Sequence, residues 1–455
     1  MRHAAMTRLV SIVAALLLAG CASLAPDYAT PAVELPPDMP IAEPKVPWWE
    51  TGSDAALRGL IEDALAHNAD LLIAAARTEE ARSALGIARA DQWPDAGVQL
   101  GASRERDQTL LPGTRERYSA QLLVSWEVDL WGRYRDASTA AREQLFAAEA
   151  GREAFRLSLA SQVAQTWYAL QALTQQSALA GQVLATQEKA LGLLRQRVDA
   201  GIAGEFELRQ QEAEVAGTRV IQQQLLAART QATNALGILL GRSPQALVEG
   251  QLPQGGAIAV LGVPPSLPEG LPSTRLLNRP DVQAAEANLK AANAQIGVAR
   301  SAWFPSLSLT VAGGGASREL STLFDSASRT FSVAGALLQP LAYSGRISAG
   351  IDAARAGRDA AELGYRQTLA RAFGEVLDAI AARQSAREIQ LAESTRVAAL
   401  TETLRIARRR FEAGLTSQFE LLGSERALLA AQGNLIDAQR AEAAAAVQLW
   451  TALGG

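Results

Sequence analysis

Tyr118-Ser119-Ala120-Gln121-Leu122-Leu123-Val124-Ser125-Trp126-Glu127-Val128-Asp129-Leu130 is the stretch on which the fold turns. Its even positions read Tyr, Ala, Leu, Val, Trp, Val, Leu, and its odd positions read Ser, Gln, Leu, Ser, Glu, Asp. Successive side chains of a strand point to opposite faces, so this period of two predicts a strand with one apolar and one mostly polar face. The alternation returns at Val98, Leu100 and Ala102 against Gln99, Gly101 and Ser103, and at Leu307, Leu309 and Val311 against Ser306, Ser308 and Thr310. A weaker fourth case is Phe331, Val333, Gly335 and Leu337, whose other face carries Ala334, Ala336 and Leu338. Gly313-Gly314-Gly315 lies between strand segments and reads as flexible barrel or loop chain. Alternating segments of about 9–11 residues make outer-membrane barrels, although a half-buried soluble strand has the same pattern. Four strands are too few to close a barrel, and an open edge is not tolerated in lipid. If these strands cross a membrane, several copies must share one barrel.

Outward from the strands the sequence turns helical. Asn68 to Asp91 and Asp281 to Ser301 are rich in good helix formers and stop near Pro94 and Pro305. After each strand pair come two longer helices, Tyr134 to Asp199 with Phe206 to Leu240, and Ile347 to Glu412 with Phe419 to Leu453. No proline occurs from Gly113 to Ser243, or from Leu341 onward. The longest of these would extend roughly 100 Å at about 1.5 Å per residue, which suits a coiled coil better than a globular domain. Leu157, Ala160, Ala164, Trp167 and Ala178 form one apolar stripe, and Leu369, Phe373, Val376 and Ile380 another.

The chain contains itself twice. Gly132-Arg133 matches Gly345-Arg346, Val198-Asp199-Ala200-Gly201 matches Phe411-Glu412-Ala413-Gly414, and Leu240-Gly241 matches Leu453-Gly454, all 213 residues apart. Upstream, Leu85-Gly86-Ile87-Ala88-Arg89 matches Ile296-Gly297-Val298-Ala299-Arg300 at an offset of 211. This period is too long for a solenoid and marks a tandem duplication of one structural half. The expected organisation is a signal peptide at 1–20, an extended segment at 21–55, a first repeat at 56–250, a Pro/Gly-rich linker at 251–272 and a second repeat at 273–455.

The N-terminus has Arg2 and Arg8 ahead of an apolar run, Leu9 to Leu18, and then Leu18-Ala19-Gly20-Cys21. The run is too short to span a membrane and reads as a secretory signal. The only cysteine follows the small residues at which cleavage is expected, as in a bacterial lipobox, and its acyl chains would supply stable anchoring. Ala22 stands where an aspartate would favour inner-membrane retention.

The 455 residues carry a net charge of -4, which argues against nucleic-acid binding. Two histidines and one cysteine exclude metal centres built from His/Cys clusters and any intramolecular disulfide. No phosphate-binding Gly-x-x-x-x-Gly-Lys run and no Ser/His/Asp set occurs, so neither an enzyme nor a cofactor is expected.

Together these residues resemble the TolC-type outer-membrane efflux proteins, and within them the lipoprotein, NodT-like branch of tripartite RND-type systems. The resemblance covers essentially the whole mature chain. It is carried by the lipobox, Pro26-Asp27-Tyr28 and Pro31, Trp48-Trp49, Trp126 to Arg133, Asn278-Arg279-Pro280-Asp281-Val282, the Ala299 to Leu307 run and the two turns around Gly201 and Gly414. It implies a mixed, mostly α fold in a homotrimer: a long α-helical periplasmic barrel beneath an antiparallel transmembrane β-barrel of four strands per protomer. It also implies an outer-membrane duct that docks onto a periplasmic adaptor and an inner-membrane pump. The turns at Gly201-Ile202 and Gly414-Leu415-Thr416 would be the periplasmic tips that contact the adaptor and close the channel. Glu207 and Glu420, six residues beyond the tip glycines, would line the gate, and a ring of like charges there would favour cations. Gly423 stands where relatives commonly carry a second aspartate. Arg408 to Arg410 precede the second tip and offer partners for its acids. Cargo could be small molecules, polypeptides or metal ions; the scarcity of methionines, Met1, Met6 and Met39, speaks mildly against a methionine-lined metal relay. The rival from another class is a periplasmic structural or adaptor protein that spans space without conducting.

Overall fold

Glycine and proline punctuation sets the element boundaries, and the computed structural model follows it closely. Residues 23–36, 47–51, 54–107, 113–249, 273–341 and 345–454 are described. The signal segment, Cys21 and the 251–272 linker lie outside them. In chain order come α1 (Trp48–Thr51), α2 (Ala55–His67), α3 (Ala69–Ala90), β1 (Asp95–Asp107), β2 (Gly113–Val128), α4 (Arg133–Asp199), α5 (Glu205–Leu239) and α6 (Pro244–Glu249). Then follow α7 (Ser273–Leu277), α8 (Pro280–Ser301), β3 (Ser306–Ser317), β4 (Arg329–Leu338), α9 (Arg346–Glu412) and α10 (Gln418–Ala452). α4 and α9 have 67 residues each and α5 and α10 have 35 each, with starts 213 apart. Among the described residues six glycines take positive φ, at Gly132, Gly201, Gly241, Gly345, Gly414 and Gly454, and these form three pairs at that same spacing. Among the described residues no helix is long and apolar enough to cross a membrane.

The chain folds as two compact units, each drawing on both halves of the sequence. The first takes in residues up to Val33, Ala76–Ala150 and Gln283–Gln367, and contains the sheet. Its strands run β1-β2-β3-β4, all antiparallel. The register sorts the two faces. Val98, Leu122, Gly313 and Phe331 form one row, Ala96, Val124, Val311 and Val333 the next, then Trp126, Leu309 and Gly335. The opposite face carries rows such as Gln99, Gln121, Gly314 and Thr330. Gly313–Gly315 corrects the loop alternative: all three are paired inside β3. A Cβ on Gly314 would stand 2.0 Å from the Ala120 carbonyl oxygen, so glycine here answers a close backbone approach.

The end of β2 meets the turns after α3 and α8 through tryptophan hydrogen bonds. Trp126 Nε1 donates to the Gln92 carbonyl at 3.1 Å, and Trp131 Nε1 donates to that of Pro305 at 2.8 Å while its ring stacks on Phe304. Gly132 and Gly345, at φ 77° and 80°, turn the chain into α4 and α9 in a conformation that a side chain would strain.

The second unit takes in Glu34–Ala75, Gly151–Val282 and Thr368–Gly455. Its main core packs Trp48, Trp49, Leu57 and Ile61 against Leu159, Val163, Trp167 and Tyr168 of α4, Leu236 of α5 and Val447 of α10. Asp54 caps α2 by accepting from Leu57 N, and its other oxygen accepts from Trp167 Nε1 at 3.0 Å. The stripe expected on α4 holds through Ala160, Ala164 and Trp167, but Ala178 is exposed. Beyond Ala172 the buried positions of α4 are Ser177, Ala180, Leu184, Gln187 and Leu191, a three-four alternation that defines a coiled-coil seam and leaves 178 outside it. On α9, Leu369 and Val376 are buried, and Phe373 and Ile380 pack against the cluster that holds Val376, as the second stripe requires.

Candidate functional site

Three surfaces bear on the roles expected from the sequence. The first is the sheet. Val98, Leu100, Leu122, Phe331, Val333 and Leu337 are large, apolar and exposed, all on one face. On the other face polar side chains meet across strands, Gln121 Nε2 donating to Thr330 Oγ1 at 3.4 Å. Trp93 and Trp303 are exposed near the helix end of the sheet, where barrels carry an aromatic girdle. β1 and β4 each have a partner on one side only among the described residues.

The second surface is the pair of helix turns. At the first, Gly201 has φ 73° and Ile202 N donates back to the Arg197 carbonyl at 2.8 Å. At the second, Gly414 has φ 73° and Leu415 N donates to the Arg410 carbonyl, also at 2.8 Å. Both are left-handed glycine caps that satisfy the last carbonyls of a helix. They push apolar side chains outward: Ile202 is 68% exposed and Leu415 70%. One ion pair is duplicated, Arg195–Glu212 at 2.9 Å in the first hairpin and Arg408–Glu425 at 3.0 Å in the second. Hydrogen bonds from Arg195 and Arg209 hold the Glu212 carboxyl below its ordinary range.

The two tips differ around the acids. Glu420 lies 3.6 Å from Arg410 Nη1 and accepts from Thr416 Oγ1, while Ser417 caps α10 by accepting from Glu420 N at 3.4 Å. Glu207 instead folds against Gly204, which caps α5 without a side chain. Arg410 therefore finds the partner anticipated for it, and so does Arg408. A Cβ on Gly423 would meet nothing within 4 Å, so the missing second carboxylate reflects residue type and not lack of room.

The third surface escaped sequence reasoning. Residues 23–28 lie along α8, whose Glu286, Lys290, Asn293, Gly297 and Arg300 alternate by four and three and so share one face. Ser23 Oγ donates to Asp136 Oδ1 at 2.6 Å, Arg300 Nη1 to the Leu24 carbonyl at 2.9 Å and Asn293 Nδ2 to the Pro26 carbonyl at 2.7 Å. Tyr28 donates to Glu286 at 3.2 Å under the Lys290 ammonium, and burial with the Glu286 charge pushes its phenol up to about 12. Burial also raises the Asp136 carboxyl above its ordinary range, against the lowering effect of the Ser23 hydrogen bond. Gly297 leaves the space for this segment, since a Cβ there would stand 2.0 Å from Asp136 Oδ2 and 2.7 Å from Ala25 N. The duplication held a signal for it: Asp136 faces Ala349 in the repeat alignment, and Gly86, the counterpart of Gly297, has nothing within 4 Å.

Arg279, which carries part of the resemblance, is a structural hub. It is buried, donates to the Ala452 carbonyl at 2.8 Å, forks onto both oxygens of Asp281 and reaches Glu375 at 2.7 Å. Asn68, its counterpart in the first repeat, donates to the Leu239 carbonyl at 2.9 Å. Each half thus ties the end of its last long helix to the side chain just ahead of its 22-residue helix, α3 or α8.

Comparison with known proteins sets this geometry in context. The family model described as outer membrane efflux protein matches residues 60–242 and 271–455. The chain is 32% identical to the probable outer membrane lipoprotein SilC of Salmonella typhimurium, over 98% of both chains. It is 34% identical to the toluene efflux pump outer membrane protein TtgC of Pseudomonas putida, over 97% of this chain and 94% of that one. The cation efflux system protein CusC of Escherichia coli K12 is 32% identical over 98% of this chain and 99% of its own. A CusC crystal structure matches with a TM-score of 0.87, covering 95% of this chain and 100% of that one.

Proposed function

We propose, from the premise that this chain belongs to the outer membrane efflux protein family, that three copies close one twelve-stranded barrel above a shared helical duct. As a family member it is an outer-membrane channel of efflux systems and not an enzyme. The observation that carries the trimer is the sheet: four strands, an exposed apolar face and two edges with one partner each. Lipid accepts the apolar face but not the edges, and joining edge to edge around an axis removes them. The repeats at 56–250 and 273–455 then each supply two staves and one long helical hairpin, joined through 251–272.

The duct conducts passively, receiving substrates from an inner-membrane pump, of RND type, through a periplasmic adaptor. Its tips, Gly201-Ile202 and Gly414-Leu415-Thr416, meet the adaptor, and opening there separates helices held by the Arg195–Glu212 and Arg408–Glu425 pairs. Glu420, and Glu207 beside the other tip, line the gate. Relatives are named for cations and for toluene. Small organic molecules are favoured for this chain because only Met39 of its three methionines lies beyond the signal segment, too few for a thioether relay.

The test is the detergent-corrected mass of protein extracted from outer membranes, followed by single-channel recording. A mass near three protomers with cation-selective conductance that falls in Glu420→Gln supports the reading. A stable monomer, or solubility without detergent, overturns the shared barrel; unchanged selectivity in Glu420→Gln removes that residue from the gate.

A further inference from the structure

The apolar face of the sheet changes character at its far end. The ten residue-to-residue steps of β2 from Val128 to Tyr118 cover roughly 25 Å at about 3.3 Å each and a tilt of about 40°, the height of the lipid-facing band of a barrel. Tyr118 thus stands at the interface farther from the long helices. In the next rows on the same face Arg104 lies opposite Glu116 and Arg106 opposite Thr114, and Arg329, opposite Gly315, sits one row below Tyr118. All three arginines are exposed. Glu116 is the single acid among these positions, 3.4 Å from Arg104, so the face keeps an excess of two positive charges per protomer. The opposite face mixes its charges there, Glu105 lying across from Arg115. The connection after β3 carries both signs, Arg318 with Glu319 and Asp325, and presents Phe324, which is 82% exposed.

Guanidinium groups bind phosphate through parallel hydrogen bonds, and a cation just above an apolar band meets headgroups and not bulk water. The geometry points to Arg104, Arg106 and Arg329 as a basic rim that binds the phosphorylated headgroups of outer-leaflet glycolipid. Charge complementarity selects this occupant: the rim bears excess positive charge where the outer leaflet places its phosphates. The inference rests on the reading of the sheet as membrane-spanning.

The test uses the full-length protein in phospholipid bilayers, with bis-phosphorylated lipid A, its dephosphorylated form and phosphatidylglycerol as probes. Retention of each lipid is read by mass spectrometry of the released complex, for wild type and for the triple variant R104Q/R106Q/R329Q. The expected result is preference of wild type for the phosphorylated glycolipid and about a hundredfold weaker retention in the variant, at about fivefold for each of the three positive charges removed near an anionic surface. Equal retention by the variant, or equal binding of the dephosphorylated form or of phosphatidylglycerol, overturns the rim. A spin label at Val333 in the same bilayers separates the two levels. A lipid-shielded label with no effect of the variant refutes the rim alone, whereas a water-exposed label refutes the membrane-spanning reading beneath it.

Discussion

Replacing Gly297 by alanine should release the N-terminal segment from α8. The added methyl carbon would stand 2.0 Å from Asp136 Oδ2, 2.7 Å from Ala25 N and 2.8 Å from Asp136 Cγ, and two of these three atoms belong to a buried side chain that has no room to retreat. The cheapest relief is for residues 23–26 to lift away. That movement breaks the bonds from Ser23 to Asp136, from Arg300 to Leu24 and from Asn293 to Pro26. Each such bond is worth about 1 kcal/mol net, somewhat more where one partner is charged, so the docked state should lose roughly 3 kcal/mol. That corresponds to a rise of about a hundredfold in the undocked population. Hydrogen exchange of the segment, read by mass spectrometry at the Leu24 amide that hydrogen-bonds Asp136, follows this population. Gly86→Ala supplies the control, because the counterpart position has nothing within 4 Å and alanine suits a helix better. Unchanged protection in Gly297→Ala, or equal deprotection in Gly86→Ala, would refute the reasoning.

Three further outcomes follow from the same contacts. Arg279→Met should destabilise the second unit by about 3 kcal/mol, measured by denaturant unfolding, because it leaves the Ala452 carbonyl and the carboxylates of Asp281 and Glu375 without their shared donor. Asp136→Asn should flatten part of the pH dependence of unfolding of the first unit. Burial raises this carboxyl in the fold, so its contribution to stability is full below the ordinary aspartate range and is lost as pH rises through the raised value; denaturant unfolding across that window reads it, and an unchanged pH profile in the variant would count against it. Cys21→Ala should abolish incorporation of a labelled fatty acid, and continued labelling would remove the lipobox assignment.

The long helices were legible to within a residue at each end because their stops are physical: positive-φ glycines close α4, α5, α9 and α10, and Ser417 opens α10. Strand faces were legible for a similar reason, since a period of two survives any register. The extent of the strands was not. Gly313–Gly315 looked like loop because no side chain announces a paired glycine, and the charged rows at Arg104 and Arg106 lie outside the apolar alternation that marked β1. Ala178 was misplaced because the seam on α4 changes from a broad core to a coiled-coil spacing where the short helices end. The segment along α8 left no periodic trace at all. Its partners are single side chains, and Asp136 and Gly297 acquire meaning only when the two halves are compared and found unequal.

The sheet has one more consequence, for how the molecule is made. A newly exported copy must cross an aqueous compartment carrying a greasy face and two raw edges, the combination that drives strands to add onto the wrong neighbour. With the barrel shared as proposed, the hazardous interval is the solitary one. Changes that slow the meeting of copies, without touching any contact inside a copy, should therefore lower the amount of protein that survives to reach the envelope, leaving fewer channels and not faulty ones.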